Sequence, residues 1–207
     1  MFSSGVTPAA IARKTIRRAS LLIPCALLVL LGACKGDTQM HGVMIDPPRQ
    51  VSGYDFTLPS GARVSTAAEK GHPIVLFFGY THCPDVCPTT LADWKRAKQK
   101  LGSDGDRVRF MFVTIDPERD TPVLSEKYAK QFDPSFIGVS GDSVTMQRMM
   151  KDYGVSAARE TAQATDTSYF MAHSAQAFLV DDKGRIVAIY PLGMGWDALA
   201  ADLKAIL

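Results

Sequence analysis

The sequence predicts an α/β domain, a central mixed sheet flanked by helices with a β-hairpin at its N-terminal side, and three observations predict it. Two runs, "PIVLFF" from Pro73 and "VRFMFVTI" from Val108, are continuously apolar, as strands buried on both faces of a covered sheet are. Segments with apolar residues three or four apart alternate with these runs. Two period-two pairs with turn residues between them stand near the two ends of the folded part. That alternation is the pattern of a sheet with right-handed crossovers and helices on both faces.

The elements follow in order. Tyr54 to Leu58 alternates, Pro59-Ser60-Gly61 turns, and "ARVS" continues, so a hairpin opens the domain. After the first buried strand, Leu91, Trp94, Ala97 and Leu101 mark one helix face from about Val86, and Gly102 stands where a C-terminal glycine ends a helix. Thr121 before Pro122 reads as an N-cap with proline at the first helical position. "FIGVS" makes a third strand and Ser143 to Tyr153 a third helix. Residues 157–167 are polar and aperiodic. "SAQAFLV" and "RIVAIY" then flank Asp181-Asp182-Lys183-Gly184 as a second hairpin, and a helix from about Trp196 closes the chain.

The 207 residues, 46% hydrophobic and 21% charged, suit one domain, and residues 1–33 are expected to stand apart from it. Those 33 hold four basic residues, no acidic one, and the 15-residue apolar run from Ala19 to Ala33, the layout of an export signal. The run carries Pro24 and is short of the roughly 20 residues a membrane-spanning helix needs. "LLGAC" resembles a lipoprotein cleavage box, which makes Cys34 the candidate lipidated N-terminus on the periplasmic side of the membrane. Residues 34–50, with Pro47-Pro48 and no apolar period, read as a flexible tether, and residues 51–207 as the working domain. Without the four basic residues the formal charge falls from +2 to −2, so no basic surface argues for nucleic acid.

Cys25 belongs to the signal and Cys34 to the anchor, which leaves Cys83 and Cys87 for the domain, too few for a disulfide-stapled scaffold. They lie just past "PIVLFF", where ligands collect in such sheets. On a helix beginning near Cys83, both sulfurs share one face at the positive end of the dipole. Their Cα atoms would then be about 6 Å apart, close enough for a disulfide. Helix-start thiols ionise readily, which suits redox chemistry and metal capture alike. A five-residue disulfide ring stabilises by only about 2 kcal/mol, so a purely structural bond is a weak explanation.

Among the histidines, His41 reads as tether surface, His72 as a turn residue and His82 as a perturber of Cys83. His173, in a loop just before an apolar strand, is the one able to reach across to the cysteines. Two thiolates and an imidazole form a soft set that favours copper, as Cu(I) or Cu(II), with zinc the alternative. Met146, Met149 and Met150 recur at helical spacing as core filler, and Met40, His41 and Met44 offer at most weak copper pickup. A peroxidase of peroxiredoxin type fits poorly, because Thr81 stands two residues before Cys83 and not three.

"FFGYTHCPDVCPTTL", "TIDPERDTPVLSEKYAKQFDPSFIGVSG" and the His173-Ser174 pair together resemble the Sco/SenC family of thioredoxin-like copper proteins, over about residues 50–207. The resemblance implies a thioredoxin-like fold and one copper held by Cys83, Cys87 and His173. It also implies a part in building the dinuclear copper centre of cytochrome c oxidase, as copper donor, as thiol reductant, or both. The partners it implies are the copper-accepting oxidase subunit, a periplasmic thiol reductant and the membrane, with no turnover enzyme required. A thiol-disulfide oxidoreductase using the redox-active pair Cys83 and Cys87 without metal is the alternative. The sequence departs from the family at Ala172, where many members carry aspartate. Asp116, Glu118, Arg119 and Asp120 fall in a family motif and read as loop bracing and capping, with partner docking the alternative.

Overall fold

The computed structural model describes residues 40–67, 71–160 and 169–207. In chain order the elements are β1 (Val43–Gln50), β2 (Asp55–Thr57), β3 (Arg63–Ser65), β4 (Ile74–Gly79), α1 (Val86–Leu101), a 3-10 segment (Gly102–Arg107), β5 (Arg109–Thr114), α2 (Pro122–Lys130), β6 (Ile137–Val139) and α3 (Ser143–Tyr153). They continue with β7 (Ala157–Arg159), β8 (Met171–His173), β9 (Gln176–Val180), β10 (Arg185–Pro191) and α4 (Trp196–Ile206). The signal expected over 1–33 and the anchor expected at Cys34 lie outside the described residues.

A six-stranded sheet runs in the order β1-β10-β9-β4-β5-β6, with β4, β5 and β6 parallel and β9, β10 and β1 added antiparallel. The mixed α/β sheet that the sequence predicts is therefore present. β4 is buried along its whole length, so it shows no alternation in sequence. On one face Phe77 and Phe110 pack edge-on or tilted against Trp94 of α1, and Phe112 against Tyr128 of α2. On the other, Phe78 and Phe178 meet Tyr153 of α3. Each fully buried phenylalanine contributes about 2 kcal/mol, so this aromatic core dominates the stability. Met146 and Met149 are fully buried and Met150 packs beside them, as core filler.

The helix boundaries follow local chemistry. Thr121 Oγ1 accepts the Leu124 N–H at 3.3 Å with Pro122 in the first turn. Gly102 ends α1 at a φ of 60°, a conformation that favours glycine.

Two segments correct the sequence reading. Val43–Gln50, expected within the flexible tether, is an edge strand paired with β10 from Val43↔Ile189 to Gln50↔Arg185, so the hairpin β2-β3 is not the first element. An edge strand is mostly exposed and needs no apolar period, and it tolerates Pro47-Pro48 because its outward N–H groups have no ladder partner; the register shifts between Met44 and Arg49. The aperiodic stretch from residue 157 holds β7, which pairs with β8, so His173 ends a short strand and is not in a free loop. Three-residue strands are too short for periodicity to register.

Candidate metal centre

The antiparallel additions bring three segments to one edge of the sheet. The C-terminal end of β4, the N-terminal end of β9 and the C-terminal end of β10 lie together, since Phe77 pairs with Ala177 and Gln176 with Pro191. Cys83 follows β4 and His173 precedes β9, so both candidate ligand segments stand at this edge.

α1 begins at Val86 with Asp85 as its N-cap, so Cys83 lies in the loop before the helix and not on its face. Pro84 disfavours a helical backbone at the residue before it, which explains the later start. The sulfurs meet nevertheless: Cys83 Sγ accepts the Cys87 backbone N–H at 3.4 Å, acting as a cap on the helix start. Both thiols are free, Cys83 half-buried and Cys87 fully buried. The hydrogen bond from the Cys87 thiol, helped by the backbone N–H groups of Cys87, Asp85 and Val86 and opposed by burial, pulls the Cys83 pKa down to about 5. The same bond, together with burial, pushes the Cys87 thiol up. One sulfur is ionised at neutral pH while its neighbour keeps the proton.

The loop is held from below. A Cβ at Gly79 would stand 2.8 Å from Cys87 Sγ and equally close to the Phe77 and Phe112 rings, so only glycine lets the sulfur reach the strand end. Asp120, fully buried, accepts from the Thr81 N–H at 2.8 Å, the Thr81 hydroxyl at 2.5 Å and the Thr114 hydroxyl at 2.8 Å. It thereby ties the cysteine loop to the end of β5. Asp116 accepts from Arg119 Nε at 2.6 Å and from the Tyr169 hydroxyl at 2.9 Å. The Arg119 guanidinium lies 3.4 Å from the centre of the Tyr169 ring, and Arg159 lies 3.7 Å from it. Asp116, Arg119 and Asp120 thus brace the site from inside, and Glu118, exposed, pairs with Arg159 at 2.8 Å.

His173 packs edge-on against Phe77 and Tyr80, with ring centres 6.0 and 6.1 Å apart. Its Nδ1 stands 3.1 Å from the Ser174 carbonyl oxygen, to which it donates, leaving Nε2 as the lone-pair nitrogen. Tyr80, buried with its pKa raised chiefly by that burial, interacts with the Met171 backbone and with the Cys83 sulfur. One phenol therefore spans the cysteine loop and the His173 strand. Among the described residues, no three His, Cys, Asp or Glu side chains are already grouped tightly enough to hold a metal ion. The three candidate ligands share an edge and a neighbour, and are not assembled into one shell.

The other histidines have partners of their own. His41, expected as tether surface, places Nδ1 2.8 Å from Asp202. His72 Nδ1 lies 3.1 Å from the Arg107 carbonyl oxygen, and His82 Nδ1 lies 3.1 Å from the Thr81 hydroxyl. The sequence reading missed Tyr80, Tyr169 and the inward turn of Asp120. Tyr80 stands inside the quoted cysteine motif, and its place immediately after a buried strand was the available signal.

The family model for SCO1/SenC matches residues 43–207. This chain belongs to the SCO1/SenC family. The match begins where β1 begins, which agrees with the strand found in place of the expected tether. Among solved structures, this SCO1/SenC chain is similar to apo Sco1 from Thermus thermophilus, with 36% identity and a TM-score of 0.71 over 82% of this chain and 98% of that one. It is also similar to Bradyrhizobium japonicum ScoI with copper bound, with 38% identity and a TM-score of 0.68 over 76% of this chain and 99% of that one. An SCO2-like protein of Rickettsia felis is 33% identical over 176 residues, which cover 83% of this chain and 86% of that protein. The fold class of this SCO1/SenC chain is accordingly α/β and thioredoxin-like. No helix among its described residues is long and apolar enough to cross a membrane.

Proposed function

We propose that this chain is an exported, membrane-anchored copper metallochaperone of the periplasmic side. It takes one copper as cargo on Cys83, Cys87 and His173 and passes it to the copper-accepting subunit of cytochrome c oxidase for the dinuclear centre. The observation that carries the reading is the pairing of an ionised sulfur and a protonated one at the sheet edge that also carries an imidazole whose Nε2 is left as the lone-pair nitrogen. Two sulfurs and one nitrogen are a soft donor set suited to copper, and the copper-bound ScoI of similar fold supports that choice of metal. Because the ligands are near one another without being assembled, capture closes the site by bringing the His173 strand over Tyr80 toward the sulfurs. A set of low coordination number at the sheet edge then releases its cargo by stepwise ligand exchange with the acceptor.

At neutral pH, copper binding releases one thiol proton, from Cys87, since Cys83 has already lost its own. Ala172 is exposed and lies on the strand face opposite His173, so the Ser174 carbonyl and the Tyr80 and Phe77 rings orient the imidazole in place of a neighbouring carboxylate.

The test is metal content after purification under reducing conditions. Wild type is expected to hold one copper per chain, and His173→Ala to bind at least roughly tenfold more weakly while its thiol-disulfide exchange is unchanged, as loss of one ligand from a small set predicts. Copper binding unaltered in that variant rules out the three-ligand site. The second reading, a thiol-disulfide oxidoreductase that reduces a partner's cysteines, is favoured by the same ionised Cys83 beside a buried Cys87. It requires both cysteines, and His173→Ala would leave it intact.

A further inference from the structure

Asp202 of α4 is almost fully buried, and its charge is spent on the first described residues of the chain. Its carboxylate accepts the backbone N–H groups of His41 and Gly42, each at 2.9 Å, the Tyr190 hydroxyl at 2.9 Å and, at 2.8 Å, His41 Nδ1. A Cβ at Gly42 would fall 3.0 Å from the Tyr190 ring, so the backbone lies directly on that side chain. What the contacts accomplish is to pin one point of the chain.

That point is at the edge of the sheet that carries the cysteines. β1 enters beside Ile189, near the end of β10, and leaves beside Arg185, at its start. The end of β10 pairs with the start of β9, next to the end of β4 and the Cys83 loop. Had the chain been a free tether up to Gln50, it would have left the domain at the opposite edge, roughly 13 Å away at about 3.3 Å for each of the four β10 steps between Ile189 and Arg185. The strand and the Asp202 clamp together move the exit to the cysteine edge.

The geometry points to a docking orientation: the clamp holds the Cys83, Cys87 and His173 edge of the domain toward the membrane. That edge is thereby offered to an acceptor at the membrane surface. The inference rests on the lipid anchor at Cys34 proposed above. From Cys34 to His41 the chain advances seven positions, which span at most about 25 Å when fully extended. The partner this selects is itself membrane-bound, and a freely diffusing acceptor would gain nothing from the arrangement.

The test uses the full chain, extracted from cell membranes and reconstituted into phosphatidylcholine–phosphatidylglycerol vesicles that carry a headgroup-attached quencher. A fluorophore is placed on Cys83 in a Cys87→Ser background. In a second protein, Cys83→Ser and Cys87→Ser are combined with Lys183→Cys, which puts the label on the exposed turn at the far edge. The Cys83 label is expected to be quenched roughly threefold more than the Lys183→Cys label, given the tether's limited reach. The contrast should shrink in Asp202→Asn, and it should vanish when a flexible Gly/Ser insert of about 20 residues follows Thr38, a change that leaves the clamp and the fold untouched. Equal quenching of the two labels in the unextended chain overturns the orientation while leaving copper binding to be judged on metal content. Absence of the full chain from the vesicle fraction removes the anchor itself, and the orientation falls with it.

Discussion

The cysteine loop rests on a buried carboxylate, a glycine that admits a sulfur and the start of a four-turn helix, whereas the His173 strand rests on three residue pairs with β7 and the edges of two aromatic rings. Every support of the loop is close-packed or charge-assisted, and such supports are lost abruptly when altered. Those of the strand are shallow and recoverable. The comparison teaches a difference in support: the sulfurs sit in a close-packed seat, and the imidazole is the more lightly held of the candidate ligands. Capture and release of the proposed copper cargo would use such a difference.

The comparison can be broken most sharply at the thiols. In reduced, metal-free protein, Cys83 should react with iodoacetamide along a titration centred near pH 5, rising as its thiolate forms and falling below that pH, while Cys87 stays unmodified at neutral pH. Equal alkylation of both at pH 7, read by mass spectrometry of the peptides, would remove the asymmetry of the seat. Next in size, Gly79→Ala drives a Cβ into Cys87 Sγ and two rings, and should cost about 3 kcal/mol in urea denaturation, at the upper end for overpacking. Asp120→Ala strands the Thr81 N–H and the Thr81 and Thr114 hydroxyls, with an expected loss of about 2 kcal/mol by the same measurement. His173→Ala, by contrast, forfeits two ring edges and one local hydrogen bond, and should cost about 1 kcal/mol or less. Smallest of all, Ala172→Asp should change copper affinity by less than about threefold, because residue 172 faces away from the ring beside it. A larger gain, measured by competition with a copper chelator, would mean that the strand turns that face inward when loaded.

How much of this was legible in the sequence differs by region. Ile74–Gly79 announced itself because a strand covered on both faces can only be apolar, and Thr121-Pro122 and Gly102 announced helix ends because caps have few chemical solutions. The cysteine pair was visible for the same local reason, although Pro84 moved the helix start past Cys83. Val43–Gln50 was read as tether because an edge strand supports itself with backbone bonds and leaves its side chains to solvent. The inward role of Asp120 was illegible, since a carboxylate in a loop motif looks the same whether it faces water or two threonines.

What the sequence determined by itself is whatever short-range chemistry compels: the order of strands and helices, their caps, and two sulfurs at a strand-to-helix junction. Only the tertiary structure decided which edge of the sheet His41 and Gly42 return to, which carboxylates are buried, and that His173 lies against Tyr80, which also meets Cys83. The physical reason is that these pairings join residues 39 to 161 positions apart, where no local preference acts. They form because the antiparallel return of β9 and β10 brings distant backbone to one edge, where buried polar groups must find partners.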